Sequence, residues 1–262
     1  MKDILEIAIK AARLAGEHMQ QLQGKASIYH KETSQNLVTQ ADLECEERIT
    51  ACIREVYPDH AFLLEEGQST GGDESEHLWV VDPLDATNNY AHGIPHYSVS
   101  IAYVEKGETK VGVVLDPTRG ELFTAVRGEG ASLNGNPIKV TNTTALSEGI
   151  FATGFYYDRG VMMKRTLDAI HDLFRNNIRG IRRMGSAAID LAWVACGRYE
   201  GFFEYQLHPW DYAAGSLLIE EAGGRCSDRQ GRPLILNSGN IICSNGVIHE
   251  KLVEVVQWDG EG

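Results

Sequence analysis

The sequence predicts a layered α/β fold, with helices and an antiparallel sheet first and a smaller α/β unit after them. Three observations carry that reading. An amphipathic helical pattern opens the chain. Three β-rich runs, separated only by turn chemistry, follow in its middle. Past residue 149, short apolar runs alternate with helical patterns.

Residues 3–22 place Ile4, Ile7, Ala8, Ala11, Leu14, Ala15, Met19 and Leu22 at helical spacing. Asp3 and Glu6 have capping-box spacing at its start. A polar loop then leads to Thr39, the expected N-cap of a helix running to about residue 56 and stopped by Pro58. Asp42 falls in its first turn, where the helix dipole favours a carboxylate. Residues 61–64 and 78–81 are short apolar runs of strand type. Pro83 should end the second run at Asp82, because proline cannot donate to a central ladder. Asp85 is then placed to cap the following helix. Residues 68–76, rich in Gly, Ser and acidic side chains, read as an exposed loop, either a mobile flap or a plain connection. Residues 98–105, 110–116 and 121–126 form the meander. The polar run 141–147 is the expected boundary between a unit over 1–145 and another over 146–262. Helical patterns over 162–175, 186–196, 212–222 and 247–257 fill the second unit. Asp211 stands at the start of the third of these, an N-cap by position, and Gly223-Gly224 ends it.

Composition narrows the function. With 262 residues the chain can bury a sizeable core, and no apolar run reaches the roughly 20 residues that span a bilayer. The opening residues are charged and amphipathic, unlike a secretory signal. Five cysteines without Cys-x-x-Cys spacing argue for a reducing compartment, with neither a disulfide frame nor a zinc site. The expected location is the cytoplasm. A formal charge of −13, from 37 acidic and 24 basic residues, repels nucleic acid. It also repels a small phosphate ester, unless divalent ions first cover the acidic cluster.

Two strand-like runs end in paired carboxylates. Residues 61–64 are followed by Glu65-Glu66, and residues 78–81 by Asp82-Pro83-Leu84-Asp85-Ala86-Thr87. A lone Asp-x-x-Asp is most simply a capped strand–turn–helix junction. Two such junctions, facing free helix-start amides, make a place where hard cations and a phosphate meet.

Together with Trp210-Asp211-Tyr212-Ala213-Ala214-Gly215, these stretches resemble the three signatures of the inositol monophosphatase family. Order and spacing match along nearly the whole chain, from Lys31 to the C-terminal third. The resemblance implies an α-β-α-β-α sandwich, a homodimer, and magnesium-dependent, lithium-sensitive hydrolysis of a small polyol phosphate. It implies that Glu65, Asp82 and the Leu84 carbonyl hold one Mg²⁺, and that Asp82, Asp85 and Asp211 hold a second. Asp42 would serve a third, weaker metal site through water, with Lys31 at the border of the metal site. Paired ions of this kind clamp the attacking and leaving oxygens of an in-line displacement. Thr87, oriented by Asp85, would share with Glu65 the activation of water, while the amides of Ala86 and Thr87 hold the phosphate. Gly185-Ser186-Ala187-Ala188 and Glu204 match the family's polyol-contacting positions, with Asp85 and Asp211 beside them. Two positions depart from the family, which usually has glycine where this chain has Leu64 and Ala86.

Other readings stand beside this one. From the residues alone, Glu204 is a strand-end glutamate, and Lys164, Arg165, Arg179, Arg182 and Arg183 are a solvated face. NADP, fructose 1,6-bisphosphate or adenosine bisphosphate are alternative substrates. A phosphatase with an aspartyl-phosphate intermediate is the enzymatic rival, although its two aspartates stand two residues apart and Asp82 and Asp85 stand three apart. A phospho-ligand binder without turnover is the non-enzymatic rival.

Overall fold

The structure is a computed structural model that describes residues 1–30, 37–72, 74–258 and 260. Lys31 therefore lies outside the described residues. The elements run α1 (Lys2–Leu22), β1 (Ile28–His30), β2 (Leu37–Thr39), α2 (Gln40–Arg54), β3 (Ala61–Leu64), β4 (His77–Asp85) and α3 (Thr87–Ala91). The meander β5 (Ser98–Glu105), β6 (Glu108–Asp116), β7 (Glu121–Val126), β8 (Gly130–Leu133) and β9 (Asn136–Pro137) follows. Then come β10 (Ile150–Thr153), α4 (Val161–Arg175), β11 (Gly180–Arg182), α5 (Ala187–Ala195), β12 (Gly201–Glu204) and α6 (Pro209–Glu221). β13 (Arg225–Ser227), β14 (Ile241–Ser244) and α7 (His249–Val256) complete the chain.

Strands β3 to β9 form a seven-stranded sheet in sequence order, with β3 parallel to β4 and every later pair antiparallel. The second sheet has five strands, ordered β11-β10-β12-β14-β13. Period-2 alternation makes each sheet two-faced. Along β4, Trp79 and Val81 pack with α1 and α2 in one core, while Leu78 and Val80 pack with α5 and α6 in another. Along β12, Phe202 joins that middle core and Phe203 faces a third, with Met162, Leu173 and Leu252. Three cores between alternating layers give the α-β-α-β-α sandwich. Helix α6 lies in the middle layer, which is why Tyr212 to Ile219 is buried without interruption and the helix lacks a polar face.

Local details differ from the expectations in four places. β4 does not stop at Asp82. It runs to Asp85, because the register against β5 shifts between Asp82 and Asp85, and Pro83 sits in that irregularity where no ladder donor is required. Asp3 caps nothing: α1 starts after Met1 with no side-chain cap bond. Asp85 does not cap α3, whose N-cap is Ala86 in the left-handed conformation, φ 74° and ψ 48°. Asp211 is the third residue of α6, whose N-cap is His208. Thr39 does cap α2 as expected, through a capping box with Asp42. The segment after Glu66 is tied along β3, with the Leu64 amide donating to Ser69 Oγ at 3.0 Å and the Thr70 amide to the Phe62 carbonyl at 2.9 Å.

The middle layer is held close by a missing side chain. A Cβ at Gly112 on β6 would stand 2.8 Å from the Ala214 carbonyl oxygen and 3.1 Å from its Cα, both backbone atoms of α6. Gly112→Ala should therefore destabilise the protein by about 1–3 kcal/mol. Gly72→Ala, where nothing lies within 4 Å, should be near neutral. Urea denaturation of both variants checks this, and equal stability would mean that α6 does not press on β6.

Candidate active site

The ends of six elements converge on one cavity of about 780 Å³. β3 delivers Glu65 just past its last residue, and β4 delivers Asp82, Leu84 and Asp85. The β4–α3 turn gives Ala86 and Thr87, Gly154 follows the last residue of β10, and β12 ends in Glu204. The start of α5 contributes Ala187, and the start of α6 contributes Trp210 and Asp211. All of these border the cavity. Asp42 and Ser186, also singled out in the sequence, do not: each stands behind a residue that does.

Asp85 joins three elements. Its Oδ2 accepts hydrogen bonds from Ser186 Oγ at 2.5 Å, the Ala188 amide at 2.8 Å and Ser98 Oγ at 3.3 Å. The carboxylate that was to cap α3 thus caps α5 from a hundred residues away, next to the N-cap Ser186. Asp82 Oδ1 accepts the Leu84 amide at 3.0 Å, which closes the turn around Pro83. Asp211 Oδ2 accepts the His208 amide at 2.6 Å, and Ser100 Oγ donates to the Trp210 carbonyl at 3.0 Å, fixing the start of α6 to β5.

Thr87 is oriented by Asp42 and not by Asp85. Its hydroxyl is 2.8 Å from Asp42 Oδ1 and 3.2 Å from the Leu84 carbonyl. The other Asp42 oxygen accepts both the amide, at 2.7 Å, and the hydroxyl, at 2.5 Å, of Thr39. The helix cap and the hydroxyl support are therefore one carboxylate.

The electrostatics are lopsided. Burial, then the charges of Glu65, Asp85 and Asp211, push the Asp82 carboxyl well above the ordinary range. Burial, with Glu65 and Asp85 next, does the same to Asp211. Burial raises Asp85 to about 6, against the opposing hydrogen bonds from Ser186 and the Ala188 amide. Burial raises Asp42 to about 6 and Glu204 to about 8. Among the described lining residues the only lysine or arginine is Arg183.

Sequence reasoning missed several cavity residues. Asn89 donates from Nδ2 to the carbonyls of His96 at 2.7 Å and Met184 at 2.8 Å, tying α3 to the loop before α5. Asp190, one turn into α5, is buried at the cavity edge with Oδ1 lacking a hydrogen-bond partner. Its signal was available, since Asp190 lies four residues after Ser186 on the same helix face. Arg183 was left among the solvated arginines, yet it borders the cavity.

These donors are hard oxygens, in excess of any cation the chain supplies, which is the chemistry a divalent ion such as Mg²⁺ requires. Among the described residues, no three His, Cys, Asp or Glu side chains close into a tight cage. The acidic groups line a wall instead, in keeping with an ion that uses few protein ligands and keeps several waters.

Protonation carries a checkable consequence. Asp42, Asp82, Asp85, Glu204 and Asp211 have folded-state pKa values above their unfolded ones, so between pH 4 and about 8 the folded chain holds protons that the unfolded chain has released. Metal-free protein should therefore lose stability as pH rises through that window, by about 3 kcal/mol for Asp85 alone. Added Mg²⁺ should raise the melting temperature more at pH 7.5 than at pH 5. A melting curve indifferent to both pH and Mg²⁺ would contradict the described electrostatics.

Comparison with known proteins agrees with the geometry. The sequence profile of the inositol monophosphatase family matches residues 1–259. The Nus factor SuhB of Pseudomonas aeruginosa is 40% identical over 264 residues, covering 98% of this chain and 97% of the relative. The inositol-1-monophosphatase of Synechocystis is 42% identical over 262 residues, covering 97% and 90%. A solved structure of an IMPase/NADP phosphatase complexed with NADP and Ca²⁺ superposes with a TM-score of 0.88 at 26% identity, over 99% of this chain and 97% of that one.

Proposed function

The chain belongs to the inositol monophosphatase family, and we propose that it is a Mg²⁺-dependent phosphomonoesterase acting on inositol monophosphate or a similar small polyol phosphate. One observation carries the reading: Glu65, Asp82, Asp85 and Asp211 meet at one cavity wall, where burial and mutual repulsion leave them wanting cations. Glu65, Asp82, the Leu84 carbonyl, Asp85 and Asp211 would hold two ions, and Asp42 lies close enough behind Thr87 to serve a third through water. When bound, Mg²⁺ would act as a Lewis acid on the phosphate oxygens and lower the pKa of bound water.

The chain's own groups do the positioning. Because Thr87 Oγ1 donates its proton to Asp42 or to the Leu84 carbonyl, its lone pairs are left to accept a hydrogen bond from the attacking water. Glu65 is the base that takes the water's second proton. The left-handed backbone at Ala86 would present the amides of residues 86 and 87 to the phosphate. A left-handed alanine costs on the order of 1 kcal/mol, which explains why glycine is usual at this position in the family. Glu204, Asp211 and the Ala187 backbone would contact the polyol hydroxyls, and Asp85 and the buried Ser186 would act by holding the α5 start in place. Asp85 is a poor nucleophile, since its Oδ2 already accepts three hydrogen bonds. Water attack is therefore favoured over an aspartyl-phosphate.

The two units over 1–145 and 146–262 would close on the substrate from opposite sides, and a homodimer and Li⁺ inhibition accord with the family. Larger phosphate esters such as NADP, which the IMPase/NADP phosphatase structure contains, belong in the substrate panel. A second reading follows from the relative named Nus factor SuhB: a Nus-factor role, compatible with the enzyme activity.

Phosphate release from inositol 1-phosphate, NADP, fructose 1,6-bisphosphate and adenosine bisphosphate should require Mg²⁺ and favour the inositol ester. Thr87→Val should lower kcat by about 10²–10⁴-fold. Undiminished turnover in excess chelator, or in the Thr87→Val protein, would overturn the mechanism.

A further inference from the structure

Strand β10 ends at Thr153, whose hydroxyl donates to the Phe203 carbonyl at 2.8 Å. Thr153 is the register partner of Phe203 on parallel β12. The next position on each strand brings Gly154 alongside Glu204, and both border the cavity. A Cβ built on Gly154 would stand 2.6 Å from Glu204 Oε1 and closer still to Cδ and Oε2. Gly154 is not among the residues with positive φ, so its backbone would accept an alanine. The space that a side chain would fill is taken by the Glu204 carboxyl.

We propose that Gly154 is a specificity-determining position, whose missing side chain seats the Glu204 carboxyl flat on the cavity wall where it reads the hydroxyls of a polyol leaving group. The inference rests on the phosphatase reading above and goes beyond it by naming what positions the polyol reader. Glu204 is only 8% exposed, and it borders the cavity. A carboxyl in this seat can accept hydrogen bonds from adjacent hydroxyls of a ring. Displaced by a methyl group at 154, it would swing into the volume the ring needs. An alanine here acts on leaving-group recognition, whereas the phosphate end, on β4 and the start of α3, is untouched.

The test compares kcat/KM for inositol 1-phosphate with that for p-nitrophenyl phosphate, whose leaving group has no such hydroxyls. In Gly154→Ala the ratio of the two should fall by about 10-fold or more, mainly through KM for the inositol ester. Glu204→Gln, which keeps the side-chain volume, should lower the same ratio without any steric load, and keeps the test alive if Gly154→Ala folds poorly. The double variant Gly154→Ala/Glu204→Asp should recover part of the ratio relative to Gly154→Ala, because the shorter acid leaves room for the methyl group. Equal losses on both esters, an unchanged ratio, or no recovery in the double variant would overturn the proposal. Absence of hydrolysis of either ester by the unaltered protein would overturn the phosphatase reading itself, and this inference with it.

Discussion

Like charges buried together constrain everything else in this structure. Asp82, Asp85 and Asp211 are brought to one wall with Glu65, and burial penalises their charge before repulsion is counted. Such a group persists only if other contacts hold it, because isolated buried carboxylates would protonate or move apart. The scaffold supplies those contacts at some distance from the charges. The turn around Pro83 is closed by Asp82 itself, and α6 is wedged between the two sheets against the bare backbone of Gly112.

Asp85 shows how folding and chemistry share one group. It faces the cavity with one edge and, through Oδ2, caps α5 and binds Ser98 on β5. Asp42 is shared in the same way, between the start of α2 and the Thr87 hydroxyl. Neither carboxylate is free to drift, so the site is rigid even where it is electrostatically strained. Preorganisation of this kind stabilises charge developing in a transition state without further reorganisation.

Much of this was legible in the sequence, and the failures have physical reasons. The meander, the amphipathic first helix and the paired carboxylates were visible because each depends on residues close together in the chain. Pro83 misled, since a proline rule for regular ladders does not cover a register irregularity. Asp85 and Asp211 were given the nearest helix to cap, whereas Asp85 caps a helix far along the chain and Asp211 bonds back to His208 from inside its own. The partner of Thr87 was misassigned for the same reason: Asp42 is 45 residues away in sequence and 2.8 Å away in space. Gly154 carried no motif, and its place at the cavity depends on the pairing of β10 with β12, whereas Asp190 was marked only by its spacing from Ser186 on one face of α5.

Burial of the acidic groups implies that the cavity wall stays partly protonated until a divalent cation takes the place of its protons. Calorimetric titration of the metal-free protein with Mg²⁺ at pH 6, in two buffers of different ionisation enthalpy, measures this directly, because the difference between the observed heats counts protons exchanged on binding. Saturable binding with net proton release, larger at pH 6 than at pH 8, is the predicted result. Binding without proton release, or no Mg²⁺ binding at all, would contradict it.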